Sequence, residues 1–206
     1  MNKLIKQFFF AVALLLAFVF TTQAQTPQHL YFNIGGAGVG SWLAWNHFDR
    51  TLNSANVALV DLAGNPSFPV ANYGSLLNPA PEAVYQAYNY YLAQGVRVGM
   101  QFTTADGIVA NRIYLMRVHI WQNTGFDSPT PVSVWLQGVS KTGYTTNNNG
   151  NALIIEYAVT AQASGEILYE MQAASLPVFP TAVEFIEQSG GANNSDSRKG
   201  GMFFGM

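Results

Sequence analysis

Over most of the second half of this chain, apolar and polar positions alternate with a period of two, which predicts a mainly β protein. Residues 96–104 and 108–121 are rich in β-branched and aromatic side chains. They flank Asp106-Gly107, a pair suited to a tight type I′ turn, so the two segments are expected to pair as a hairpin. That register sets Val98 opposite Leu115, Met100 opposite Ile113 and Val96 opposite Arg117 on one mostly apolar face, which also carries His119. The other face would hold Arg97, Gln101, Thr103, Arg112 and Tyr114 and is expected to meet solvent. Further strands are expected over 132–139, 152–162, 167–174 and 182–187, separated by clusters of Gly, Asn, Ser and Pro. Strands at this spacing predict an antiparallel β-sandwich of jelly-roll-like type.

The first half is less regular. An apolar segment at 30–34 precedes a glycine-rich run, and 57–62 reads as a short buried strand ended by Gly64-Asn65-Pro66. One α-helix is expected over 79–94. Asn78 would cap it, Pro79 suits its first position, Glu82 lies near the positive end of its dipole, and Gly95 stops it. Val84, Ala87, Tyr88 and Tyr91 would then share one face, leaving Tyr85 and Tyr90 elsewhere on the helix.

The remaining segments concern address rather than fold. Lys3 and Lys6 precede an apolar run at 8–20, and Thr22-Gln23-Ala24 offers small residues ahead of Gln25. This is the pattern of a secretory signal peptide over 1–24, the run being shorter than the roughly 20 residues a spanning helix needs. The expectation is an exported protein, periplasmic, outer-membrane-associated or extracellular, with a single β-rich domain over 25–188. Residues 189–206 read as a flexible tail rich in Gly, Asn and Ser.

Composition narrows the possible functions. Without Lys3 and Lys6, 7 basic residues face 11 acidic ones, a formal charge of −4. With charged residues at only 10% of the chain, there is no clustered basic footprint for nucleic acid. The absence of cysteine removes disulfides, thiolate metal sites and a lipoprotein anchor.

Several patterns resemble known chemistry. Gly36-Ala37-Gly38-Val39-Gly40-Ser41, after an apolar strand and before a plausible helix, resembles the opening of a dinucleotide-binding unit, with Asp61 at the end of the next strand. The pattern departs where Ser41 replaces the last glycine, and the chain then turns to hairpins instead of βαβ units. A loop that turns sharply is the expectation. His47 and Asp49 lack an assignable third metal ligand, and no Gly-x-Ser-x-Gly elbow is present. No cofactor, metal or catalytic residue is assigned.

Aromatic residues make up 14% of the chain, with 4 Trp and 10 Tyr. In an exported sandwich such rings bind sugar faces or protein partners. Trp135 alternates with Val134 and Leu136 and is the expected exposed platform, with Tyr114 and Tyr90 as further ligand-binding candidates. The expected function is therefore a non-enzymatic binding or assembly protein that recognises a glycan or a protein partner. Two alternatives stay open: a small outer-membrane β-barrel, and an exported hydrolase pairing Glu156 with Glu170 across a hairpin at Ser164-Gly165.

Overall fold

The computed structural model describes residues 27–34, 36–47, 51–52, 57–60, 75–85, 88–91, 97–121, 130–146, 150–173 and 180–188. The expected leader over 1–24 and tail over 189–206 lie outside them, as does Asp61. Among the described residues there are twelve strands: β1 (His29–Ile34), β2 (Leu43–Trp45), β3 (Thr51–Leu52), β4 (Val57–Val60), β5 (Tyr88–Tyr91), β6 (Val98–Phe102), β7 (Ile113–Trp121), β8 (Thr130–Leu136), β9 (Val139–Thr146), β10 (Ala152–Thr160), β11 (Ile167–Ala173) and β12 (Ala182–Glu187). A single turn of helix, α1 (Glu82–Tyr85), stands between β4 and β5.

Ten strands make two five-stranded sheets, one in the order β10-β7-β12-β1-β2 and the other β3-β6-β11-β8-β9. The remaining two, β4 and β5, pair with each other. All pairings are antiparallel except β1 with β2. Alternate residues of both large sheets point into one shared core. Phe32, Ile34, Met116, Val118, Ile120, Val183 and Phe185 come from the first sheet, and Val98, Met100, Phe102, Val134, Tyr169 and Met171 from the second. The strands form two sheets facing across an apolar interior. An outer-membrane barrel is built the other way, as one closed sheet with its apolar side outward. Among the described residues, no helix is long and apolar enough to cross a membrane.

The β-sandwich architecture matches the alternation in the sequence, but the connections differ from it in three places. First, β6 and β7 do not pair, because they belong to different sheets. Thr103, Asp106 and Gly107 are used otherwise. Thr103 and Asp106 form a capping box around the 3₁₀ turn Thr104–Asp106, and Gly107, at φ 91°, closes it. The chain thereby crosses from one sheet to the other. The type I′ hairpin lies instead between β8 and β9, where Gln137 and Gly138 have φ of 52° and 76°.

Second, the faces of β7 are inverted relative to expectation. Tyr114, Met116, Val118 and Ile120 fill the core, while Leu115, Arg117, His119 and Trp121 lie on the outer side. Third, the helix expected over 79–94 is confined to four residues. Tyr88–Tyr91 pairs with β4, since tyrosines in this run suit a strand at least as well as a helix. Asn78 does not cap α1; it sits at φ 48° in the preceding loop, and that loop hands two carbonyls to Arg117. The glycine-rich run leads directly into strand β2 after a tight turn in which Val39 and Trp42 bridge. The helix that a dinucleotide-binding unit requires is not there.

A smaller apolar cluster covers part of the first sheet's outer face: Trp42, Ala80, Val84, Tyr85, Trp121, Ala152 and Ala182. The first sheet is thus sandwiched between the main core and the segment that carries α1. This second layer shapes the site described below.

The hairpin strand β9 carries one position where only glycine fits. Opposite the irregularity between Val132 and Val134, a Cβ on Gly143 would meet the Val132 carbonyl oxygen at 2.1 Å. Gly143→Ala should therefore destabilise the domain by about 1–3 kcal/mol, the range for an overpacked contact. Gly138→Asn, at a turn position with open space around it, should stay within about 0.5 kcal/mol of the parent. Urea denaturation of both variants checks this contrast.

Candidate functional site

Strand alternation and register together assemble a polar ladder on the outer face of the first sheet. One cross-strand row runs Glu156, Arg117, Glu184, Tyr31 across β10, β7, β12 and β1. The next row runs Ile154, His119, Ala182, Asn33, and the row on the other side ends Ile186, His29. Residues separated by as many as 155 positions in sequence therefore stand side by side.

Glu184 is the centre of this ladder and is almost fully buried. Its Oε1 accepts from Arg117 Nη1 and from His119 Nε2 (3.0 Å), and its Oε2 accepts from His29 Nε2 (2.7 Å). Each histidine presents its Nδ1 to a tyrosine hydroxyl, His29 to Tyr31 (2.7 Å) and His119 to Tyr85 (2.8 Å). A carboxylate can only accept, so both imidazoles donate through Nε2, and in the neutral ring Nδ1 is left to accept from the tyrosine hydroxyl. Two tyrosine–histidine arms thus converge on one carboxylate.

Arg117 is equally occupied. Its Nε donates to Glu156 (3.0 Å), Nη1 also donates to the Asn78 carbonyl (3.1 Å), and Nη2 donates to the Leu77 carbonyl (2.7 Å). The guanidinium therefore ties the loop before α1 down onto the sheet. Sequence reading places Arg117 and His119 on one strand face but assigns that face to the core, so the ladder is missed. Its best signal is Arg117-x-His119 together with His29-x-Tyr31, polar pairs at period two inside otherwise apolar strands.

A cleft of about 390 Å³ opens above the ladder, lined by His29, Tyr31, Trp42, Asn78, Pro79, Arg117, Glu184 and Ile186. Its wall is aromatic. His29 and Tyr31 stack with ring centroids 3.9 Å apart, and the Trp42 ring lies 5.2 Å from Tyr31 and meets His119 edge-on. Its floor is the Arg117–Glu184 pair, and the exposed Asn78 stands at the rim.

Burial sets the protonation behaviour of the ladder. It holds the His119 imidazole below the ordinary value of 6.5, against the opposing pull of its hydrogen bond to Glu184. Burial alone would raise Glu184. The hydrogen bonds from His119 and His29 and the charge of Arg117 outweigh it and leave the carboxyl below 4.5. The Tyr31 hydroxyl is pushed up by burial and then by the negative charge of Glu184, so it stays a proton donor to His29.

The candidates read from sequence are dispersed. Trp135 lies on the outer face of the second sheet, with the Arg97 guanidinium 4.1 Å above its ring and Arg97 paired to Glu170 at 2.6 Å. Tyr114 is fully buried in the core, its ring edge-on to Phe185 and its hydroxyl accepting from Val109 N. Tyr90 falls on β5, and its side chain lies outside the described residues. The structure does not bring Trp135 and Tyr114 together. Glu156 and Glu170 do not face each other across a hairpin: they sit on the outer faces of opposite sheets, each held by its own arginine. Two packed sheets separate them, so they cannot flank one glycosidic bond.

No protein-family model and no curated protein matches the chain. Solved structures do. The structure of the plant receptor-like kinase ANX2 superposes with a TM-score of 0.58 at 13% identity, over 84% of this chain and 53% of that one. A chain of the complex of the plant peptide RALF23 with FER and LLG2 gives 0.56 at 12% identity, over 83% and 52%. The present chain spans about half the length of these two structures. A weaker likeness, with a TM-score of 0.37 at 11% identity over 77% and 99%, is to the C-terminal CBM6 of LamC from Zobellia galactanivorans. At these identities the first two likenesses show the β-sandwich fold alone.

Acidification tests the ladder. His119 and Glu184 both bind protons more readily in the unfolded chain, so their contribution is complete above about pH 6.5 and is lost as pH falls. The melting temperature should drop first below about pH 6.5 through His119 and again below about pH 4.5 through Glu184. His119→Gln should remove the first step only, and a wild-type curve flat from about pH 7 to 4 would contradict the scheme. At neutral pH, Glu184→Gln should cost about 3–5 kcal/mol in denaturant unfolding, because it removes the buried partner of Arg117 and leaves that charge only the half-exposed Glu156.

Proposed function

We propose that this protein is a non-enzymatic glycan-binding domain whose site is the cleft over the Glu184–Arg117 ladder. The observation that carries this reading is the junction, in one cavity, of an aromatic wall with a rigid floor of planar hydrogen-bonding groups. Pyranose rings present apolar C–H faces and polar hydroxyl edges, and that pairing of surfaces is what they need. The floor is pre-organised, since each of its side chains is held by several partners before a ligand arrives.

Binding without turnover fits the protonation states. A glycosidase needs a carboxylic acid that keeps its proton near neutrality. Glu184 is held in its ionised form instead, and its neighbour along the row, Glu156, is engaged by the same arginine. With the leader read over 1–24, the domain would meet its glycan outside the cytoplasm.

Trp135 offers the rival surface, on the opposite sheet, and paired variants separate the two. Against a panel of oligosaccharides, Tyr31→Ala should weaken capture about tenfold through the lost ring, while Trp135→Ala leaves it unchanged. Both should retain the parent fold by circular dichroism. Loss of capture in Trp135→Ala with full capture by Tyr31→Ala would move the site to the second sheet.

A further inference from the structure

The hydrogen-bonding capacity left over in the cleft points to the kind of sugar it takes. A guanidinium has five N–H groups and a carboxylate about four acceptor positions. Among the described residues, Arg117 uses four of its five: Nε on Glu156, both Nη1 hydrogens on Glu184 and the Asn78 carbonyl, and one Nη2 hydrogen on the Leu77 carbonyl. Glu184 accepts three hydrogen bonds, two on Oε1 and one on Oε2. Among the described residues, what remains at the floor is one N–H donor on Arg117 and one acceptor position on Glu184 Oε2, on two side chains already in contact.

From this we infer that the cleft binds an uncharged pyranose through a pair of vicinal hydroxyls, one accepting from Arg117 Nη2 and its neighbour donating to Glu184 Oε2. The inference rests on the glycan-binding reading and narrows it.

Adjacent ring hydroxyls match a donor and an acceptor set side by side, because a hydroxyl can serve in either sense. A charged sugar does not match. The single Arg117 charge already faces two carboxylates, Glu156 and Glu184, so a uronate would have to displace one of them while facing the other. An ammonium group in place of the accepting hydroxyl has no lone pair to take the Arg117 N–H and would stand against the Arg117 charge. In either case a desolvated charge is left poorly paired. The stacked His29 and Tyr31 rings complete the fit on the apolar face.

The test uses the full folded domain and NMR titration of its Tyr and Trp ring signals. The probes are the methyl glycosides of glucose, galactose and mannose. Each is run beside its uronic acid, its 2-amino analogue and its monodeoxy series. The expected result is that a neutral glycoside shifts the Tyr31 and Trp42 signals and binds at least tenfold tighter than its charged analogues. Removal of either hydroxyl of one adjacent pair should cost tenfold or more, and raising the salt should leave the affinity unchanged. A uronide or amino sugar that binds as well as the neutral parent overturns the uncharged-ligand inference and leaves the cleft reading standing. Monodeoxy sugars that all bind like the parent overturn the vicinal pair in the same way. If no probe shifts the cleft signals, the glycan-binding reading falls together with the inference.

Discussion

A carboxylate almost without solvent, Glu184, imposes the arrangement around it. A buried ionised group is tolerated only where charge and hydrogen bonds replace the water it has lost. Here the replacements come from two other strands, His29 on β1 and Arg117 and His119 on β7, with Glu156 on β10 steadying the arginine from the far side. The same requirement reaches outward. Arg117 draws the loop at Leu77 and Asn78 onto the sheet, and that loop supplies the edge of the cleft. The cleft is thus a by-product of satisfying one charge.

Legibility in the sequence followed the physics of each feature. Alternation in residues such as Val132, Val134 and Leu136, or Val183 and Phe185, has one cause, burial of one side of a strand, and the sandwich could be read from it directly. Turn chemistry was more ambiguous, because Asp106-Gly107 serves a 3₁₀ turn as well as a hairpin, while Gln137-Gly138 folds as the hairpin turn with a less favoured first residue. Local preference named the residue types correctly but could not say which strands they joined.

The site was harder to read, for a different reason. Arg117 and His119 share their outward face with Leu115 and Trp121, so a strand covered on both sides looks apolar either way up. A second layer over the first sheet removes the polar-out signature on which face assignment depends. Tyr114, counted among the outward residues, belongs to the core for that reason, and Glu184 was passed over because nothing near it in sequence marks it as special. The Glu156 and Glu170 pairing failed similarly: nearness along the chain placed them together, while β10 and β11 belong to separate sheets.

The long sequence separations within the ladder bear on when the cleft forms. His29 and Glu184 become neighbours only when β1 and β12, the first and the last of the described strands, have paired. Contacts this distant along a chain carry a large loop-closure cost and form slowly. A chain that has built only its middle strands holds no cleft, and a nascent chain lacks one until β12 has been made. Any ligand of the cleft would therefore bind the completed fold alone and add its binding free energy to that state. Binding in the cleft and completion of folding would then be one event, and occupancy would report on the integrity of the whole sandwich.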